Sequence, residues 1–264
     1  MRNKHLYLSF FFLFIFNISL FAQELEINSS KINYDDNDKI TIFEGKVTVV
    51  DEKNNKLFSE YAEYNKLAEV VETKGQTKII TSGGYEIFSS NVVFNNTKNI
   101  IFSNNKTIII DEDGNNIDVE MFNYSILEKI FFSKGNIKVK DINNNKYNFS
   151  EIYIDENKKK IIGSDVKAFL DDPSILVNSD NNPRFFANTM SLNKNTNSFE
   201  KGVFTYCKNR ENDKCPPWTL QSKKIKHDLA SKTIYYDNVV LKVYDFPIFF
   251  SPKFSHPDHT VKRR

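Results

Sequence analysis

FEGKVTVVD, residues 43–51, is the stretch whose reading decides the fold, because it comes back. TKGQTKIIT follows thirty residues later (73–81), SNNKTIIID thirty after that (103–111), and SKGNIKVKD thirty further on (133–141). A Gly, or Asn105 in its place, stands ahead of the apolar run each time. GSDVKAFLD (163–171, with Asp165), EKGVFTYC (200–207, with Gly202) and YDNVVLKV (236–243, with Asn238) continue the series, the last two at spacings of 37 and 36. The other half of the unit repeats as well: LFSEYAEYN (57–65), IFSSNVVFN (87–95), IDVEMFNYS (117–125) and YNFSEIYID (147–155). RFFANTMSL (184–192) and LQSKKIKHD (220–228) are looser copies, and INSSKINYD (27–35) opens the series. A fixed period of this kind marks a stacked-repeat architecture.

Within each half the apolar residues alternate, as in Val47 and Val49, Ile137 and Val139, Phe204 and Tyr206. Period two with β-branched and aromatic residues predicts half-buried strands. The Gly, Asn or Asp ahead of each run fits a turn that needs φ > 0. DEKNNK (51–56), DEDGNN (111–116) and DINNNK (141–146) carry the Asn, Asp and Gly that hairpin turns favour. No stretch after the leader has helical periodicity. The expectation is an all-β chain, an elongated β-jellyroll or β-taco of stacked two-strand repeats of about thirty residues.

A strand pair cannot bury its apolar face alone, whereas stacked copies bury it between two facing sheets. Closed sheets make a core and splayed sheets make a groove for a long apolar ligand; the sequence leaves both open. By repeat position the inward residues are Val47, Val49, Ile79, Ile109, Ile137, Val139, Val166 and Phe204. The first strands, carrying Ile27 and Ile32 and then Ile40 and Ile42, are expected to form an edge with unpaired backbone groups. Such an edge is a template for strand addition by a similar roll.

With 264 residues, 40% apolar and 14% aromatic, the chain can bury a sizeable core. MRNKH (1–5), LYLSFFFLFIF (6–16) and NISLFAQ (17–23) read as the basic, apolar and cleavage regions of a signal peptide ending at Ala22. The apolar run is short for a spanning helix, which needs about 20 residues. Export places the mature chain in an oxidising compartment. The formal charge is +2, and losing Arg2 and Lys4 with the leader leaves 2 − 2 = 0. A neutral chain argues against a nucleic-acid partner held by phosphate neutralisation.

No Gly-rich phosphate loop or nucleophile elbow is present, so neither catalysis nor a cofactor is expected. HPDH (256–259) offers two His without a third ligand and reads as a polar loop, so no metal is expected. Cys207 and Cys215 lie eight apart in YCKNRENDKCPPW. On spacing alone, three states stay open: a local bridge worth roughly 2–3 kcal/mol, pairing with a partner or further sequence, or two free thiols. Trp218 reads as a packing anchor at that end of the roll. In the last segment Pro247, Pro252 and Pro257 exclude a regular central strand, while Phe246, Phe249, Phe250 and Phe254 are too apolar to lie free in water. The expectation there is a semi-rigid linker.

Three features resemble the periplasmic N-terminal domain of the lipopolysaccharide-assembly outer-membrane protein family, LptD or OstA. One is the leader followed by Gly-x-Val strand repeats with halves like SEYAEYN (59–65). Another is YC…CPPWTLQSKKIKHD (206–228), similar to the family's Cys, Pro-Trp and following strand. The third is LKVYDFPIFFSPKFSHPDHTVKRR (241–264), which looks like the family's segment between periplasmic roll and barrel. The resemblance covers residues 24–264. The repeats alone are shared with the periplasmic bridge and the inner-membrane-anchored component of the same transport system, so the final segment is the more specific signal.

The resemblance implies a signal peptide over 1–22, an OstA-like periplasmic roll over 23–244 and a linker over 245–264. A transmembrane β-barrel is expected to follow, with Lys262, Arg263 and Arg264 marking where it starts. The implied function is passage of lipopolysaccharide through an apolar slot at the periplasmic face of the outer membrane, without bond chemistry. The implied partners are lipopolysaccharide, a periplasmic β-roll bridge protein and, where the barrel is present, an outer-membrane lipoprotein plug. A stand-alone periplasmic bridge and a closed structural roll without ligand are the alternatives. The chain departs from the family in having no Cys near the mature N-terminus, and the barrel's Cys are absent with the barrel. A local Cys207–Cys215 bridge is therefore the expectation.

Overall fold

The computed structural model describes residues 25–35, 39–142, 144–169, 184–193, 195–205, 217–257 and 261, and every regular element in it is a strand. The strands are β1 (Glu26–Asn28), β2 (Lys31–Tyr34), β3 (Ile40–Val50), β4 (Lys56–Asn65), β5 (Val70–Thr73), β6 (Gln76–Ile80) and β7 (Glu86–Ser90). Next come β8 (Val93–Asn95), β9 (Ile100–Ser103), β10 (Thr107–Ile110), β11 (Asn116–Val119), β12 (Phe122–Ser125), β13 (Ile130–Lys140) and β14 (Lys146–Asp155). The series closes with β15 (Lys160–Phe169), β16 (Arg184–Leu192), β17 (Thr196–Thr205), β18 (Trp218–Asp228), β19 (Thr233–Val243) and β20 (Phe246–Pro257).

All twenty join one antiparallel sheet, folded along a crease because the long strands are shared. β3 pairs β1 through Thr48–Val50 and β2 through Thr41–Glu44. β4 likewise pairs β6 through its first half and β5 through its second. The result is two wings: wing I holds Val47–Val50 of β3 and its neighbours, wing II holds Ile40–Glu44 and its neighbours. Side chains from both wings form one core, in which Val49, Ile79 and Ile109 of wing I pack with Phe43, Val71 and Phe94 of wing II.

The crease is made by the repeated Gly. In β3, Glu44 pairs Tyr61 and Val47 pairs Ser59, so β3 carries one residue more than β4 between those rungs. That is a β-bulge, which bends a strand and needs a backbone most residues resist. Gly45 supplies it at φ 72°, followed by Lys46 at 52°. β13 repeats the bulge between Lys134 and Ile137, with Gly135 at φ 109°. Asp165 and Asn238 hold φ 50° and 51° at the matching places. The sequence reading of these positions as turns is thereby corrected: they bend strands without ending them. Asn105 is a second correction, because its φ is not positive; the chain breaks there between β9 and β10, and Asn105 Nδ2 donates to Ser90 O at 3.0 Å. At Gly202 the positive φ, 51°, falls on Lys201 instead.

The outer rims of the wings are hairpin turns in register. On wing I the fourth residue of each turn, Asn54, Gly84, Gly114 or Asn144, donates its amide to the first residue's carbonyl at 3.0 Å, with φ of 69°, 88°, 86° and 65°. Asp51, Asp111 and Asp141 also accept from the amides of Asn55, Asn115 and Asn145 at 2.7, 2.7 and 2.8 Å. These are the loops the Asn- and Asp-rich stretches foretold. On wing II, Glu69, Asn99, Lys129 and Lys159 close the turns at φ 52°, 55°, 54° and 47°. There Asn65, Asn95 and Asp155 accept amides from the turn that follows each.

Two expectations about the ends need correction. Ile40 and Ile42 are not at the edge: they lie in β3, which β2 covers through the pair Asn33–Ile42. The edge consists of β1 and β2 and retains Ile27 and Ile32. At the other end, residues 246–257 are not a linker; they form β20, paired with β19 from Val243–Phe246 to Thr233–Pro257. The prolines are tolerated because, among the described residues, β20 pairs β19 alone, and the register slips between Leu241 and Lys242. The leader (1–22), Cys207, Cys215 and Lys262 to Arg264 lie outside the described residues.

Candidate functional site

The interior is organised in files, one side chain per strand. Along wing I, cross-strand partners run Ile27, Val49, Leu57, Ile79, Ile87, Ile109, Ile117, Val139, Tyr147, Ala168, Phe185, Phe204, Leu220, Leu241, Phe249. All fifteen are apolar or aromatic, so an unbroken apolar stripe joins the two ends of the roll. One rung nearer the crease lie Val47, Ile137 and Val166, among buried hydroxyls such as Ser89 and Thr107, which bond each other at 2.8 Å. Facing them on wing II is a second file, in which Ile152, Gly163, Met190, Phe199, Ile225, Tyr236 and Phe254 pair in order.

The eight residues expected to face inward all belong to the wing I file or to the rung beside it, but the interior is not uniform. Val47, Val49, Ile79, Ile109, Ile137 and Val166 are fully packed core. Val139 and Phe204 are only half-buried. The change happens around β13 to β16, where the wings part over a cavity of about 360 Å³. Ile117, Val139, Tyr147 and Phe149 of wing I and Ile152, Ile161, Met190 and Leu192 of wing II line it. Asp111, Asp113 and Asp141 of the wing I rim stand at its mouth. The volume lies within the usual range of small-ligand sites, roughly 300–1,000 Å³. Beyond it the fully buried core shrinks to Ile225, Tyr236 and Val239.

Both ends leave interior side chains uncovered. At the first, Ile32 is 47% exposed although it pairs Phe43 on the inner face. At the last, Phe249 and Phe254 are 52% and 43% exposed on that same face. Phe204 sits by Trp218, ring centroids 6.2 Å apart, in the opened part.

On the closed side of the cavity the two rims touch. Glu156, in a wing II turn, is buried. Thr81 Oγ1, from a wing I turn, donates to its Oε1 at 2.9 Å, and Tyr124 OH donates to its Oε2 at 3.0 Å. Burial pushes the Glu156 carboxyl above its ordinary pKa, against the pull of these two hydrogen bonds. Burial, reinforced by the same carboxyl, also pushes the Tyr124 phenol well up. Gly83 makes the approach possible, since a β-carbon there would stand 2.5 Å from Glu156 Oε2. Lys159 and Glu112 pair across the rims at 2.9 Å alongside.

Glu156 was not singled out by the sequence, where it reads as one more turn acid in DENKKK. The wing II lining was nearer to hand: Tyr64, Phe94, Tyr124 and Ile154 recur at thirty residues and all occupy one inward file. Among the described residues no group of three or more His, Cys, Asp and Glu side chains is placed to hold a metal ion.

The chain is similar to the crystal structure of LptH from Pseudomonas aeruginosa, described as the LptA homologous periplasmic component of the conserved lipopolysaccharide transport device. Identity is 18%, the TM-score is 0.38, and the match covers 42% of this chain and 82% of that one. No protein-family description and no curated protein sequence matches the chain.

Proposed function

We propose that this chain is the periplasmic part of a lipopolysaccharide transport and assembly machine of the LptD kind. In this reading it passes lipopolysaccharide along the trough toward an outer-membrane barrel, and it works exported, at the periplasmic face of that membrane. The observation that carries the reading is the fifteen-residue apolar file, filled at one end, hollow in the middle and uncovered at both mouths. An acyl chain in water costs about 0.8 kcal/mol per exposed CH₂. A stripe that joins two molecular ends shields such chains over the whole route while the sugars stay outside. No bond is made or broken, so the role needs no catalytic group.

Ile27 and Ile32, on the strands β1 and β2, are the docking edge for a periplasmic β-roll bridge protein, which would add a strand and continue the interior. β20 is the corresponding edge toward the barrel and, where the barrel is present, its lipoprotein plug. A stand-alone bridge is the second reading.

The test is site-specific photo-crosslinking in cells making lipopolysaccharide. Probes at Val139 and Phe204 should capture it, and probes in 51–56 should not. Capture only at the polar loops sinks the slot. Proline at Ile32 should weaken bridge binding and leave the fold intact, because it removes an edge N–H; unchanged binding removes the docking edge from the reading.

A further inference from the structure

We propose that Glu156 is the closing residue of a gate in the seam between the two rims. It decides how far an apolar chain can travel from the open trough into the closed half of the interior. The proposal rests on the reading that such a chain occupies the trough.

The geometry carries it. Glu156 touches wing I at Thr81 and wing II at Tyr124, so three elements far apart in sequence meet at one carboxyl. On one side of it the wings enclose a cavity of about 360 Å³ that reaches Met190. On the other, Leu57, Ile79 and Ile109 are packed to 2% exposure or less, with no room for a guest. Native packing at that density moves by discrete repacking, not by gradual swelling. A chain can therefore advance only if the rims separate, and the contact that must break first is the Glu156 cluster with the Lys159–Glu112 pair beside it.

The chemistry suits a contact made to open. An apolar seam would lose its burial energy on parting. A buried carboxyl is costly to desolvate, and its hydrogen bonds are replaced by water on parting, so closed and open states lie closer in energy. Gly83 is the third part: its missing side chain is the space the carboxylate fills, since a β-carbon there would stand 2.5 Å from Glu156 Oε2.

The test uses the full chain with photo-leucine and photo-methionine, which replace Leu57 and Met190 at nearly constant volume, and palmitic acid as the probe. Crosslinked peptides are assigned by mass spectrometry. Native protein should label Met190 in preference to Leu57. Glu156→Ala and Thr81→Val should each raise the Leu57 to Met190 ratio at least about fivefold, the lower range of a coupled two-state shift. Equal labelling of both sites in native protein, or an unchanged ratio in both variants, overturns the gate. If Glu156→Ala loses cooperative unfolding, Thr81→Val decides alone, since at nearly constant volume it removes only the hydroxyl that donates to Glu156 and accepts from the Tyr85 amide. Absence of label at Met190 in folded native protein instead overturns the trough reading, and the gate falls with it.

Discussion

Gly163 of wing II lies under the ring of Phe149 of wing I, so closely that a β-carbon on Gly163 would come within 2.4 Å of Phe149 Cδ1. This is where the closed core gives way to the cavity, and a β-carbon on Gly163 would have to displace the Phe149 ring. Gly163→Ala should destabilise the roll by roughly 1–3 kcal/mol, the usual cost of overpacking. Phe149→Leu should recover part of that loss in the double variant, a coupling that urea unfolding measures. Additive effects would show that the wings shift freely at this point.

The crease makes a second prediction. Gly75 holds φ 83° with open space where a β-carbon would stand, whereas Gly135 holds φ 109° with Glu120 Oε2 2.7 Å away. Gly75→Ala therefore isolates the backbone cost, about 1–2 kcal/mol. Gly75→Asn should cost less, because Asn visits this region more readily. Thermal melts of the two variants suffice, and equal losses would argue that φ is not what the Gly supplies.

Glu156 gives the molecule a pH slope of identifiable sign. Its carboxyl binds a proton more tightly in the folded chain than at its ordinary value of 4.5. Its contribution to stability is therefore greatest below that value and is lost as pH rises through the elevated folded one. The groups around it are Asp51, Asp111, Glu112 and Asp113, the phenols of Tyr85 and Tyr124, and Lys129 and Lys159. Exposed carboxylates bonded to lysine, such as Glu44 to Lys31 and Asp237 to Lys253, are held low and act in the opposite sense. They cancel in a difference between native protein and Glu156→Gln. That difference in unfolding free energy should fall as pH rises above the ordinary value of 4.5; a flat difference would mean the carboxyl is hydrated.

The last strand should be separable from stability. Phe249 and Phe254 are large, inward-facing and yet about half exposed. Changing both to Ser should move the melting midpoint little, since exposed positions cost within about 0.5 kcal/mol. It should lower the binding of an apolar fluorescent dye, because these rings are the trough's uncovered mouth. A large drop in the midpoint would instead make β20 part of the folding core.

Much of the fold was legible because a bent strand pair repeats its constraints. Alternation placed Val49, Ile79, Ile109 and Val139 on one inner face, and the thirty-residue period put the Gly bulges and Asn corners in register. The rest depends on distance between parts that no local pattern encodes. Whether Val139 lines a cavity and Ile137, two residues earlier, is sealed in core follows from how far the wings part around β13 to β16. Glu156 carries no signal of its own, since its role comes from Thr81, seventy-five residues away. Pro247, Pro252 and Pro257 misled because they forbid a central strand but permit an outermost one, and only the strand order tells which it is.

The fifteen-residue file also has a handedness. Neighbouring strands in a twisted sheet are rotated by at least about 10°, so fourteen steps accumulate roughly 140° or more. At about 4.8 Å per step the same fourteen steps span roughly 67 Å. The seam between the rims therefore winds about the long axis and does not look out in the same direction at β1 and at β20. A cargo held with its acyl chains inside and its polar portion at the seam would be turned as it advanced. It would arrive facing a different side of the molecule from the one on which it was received.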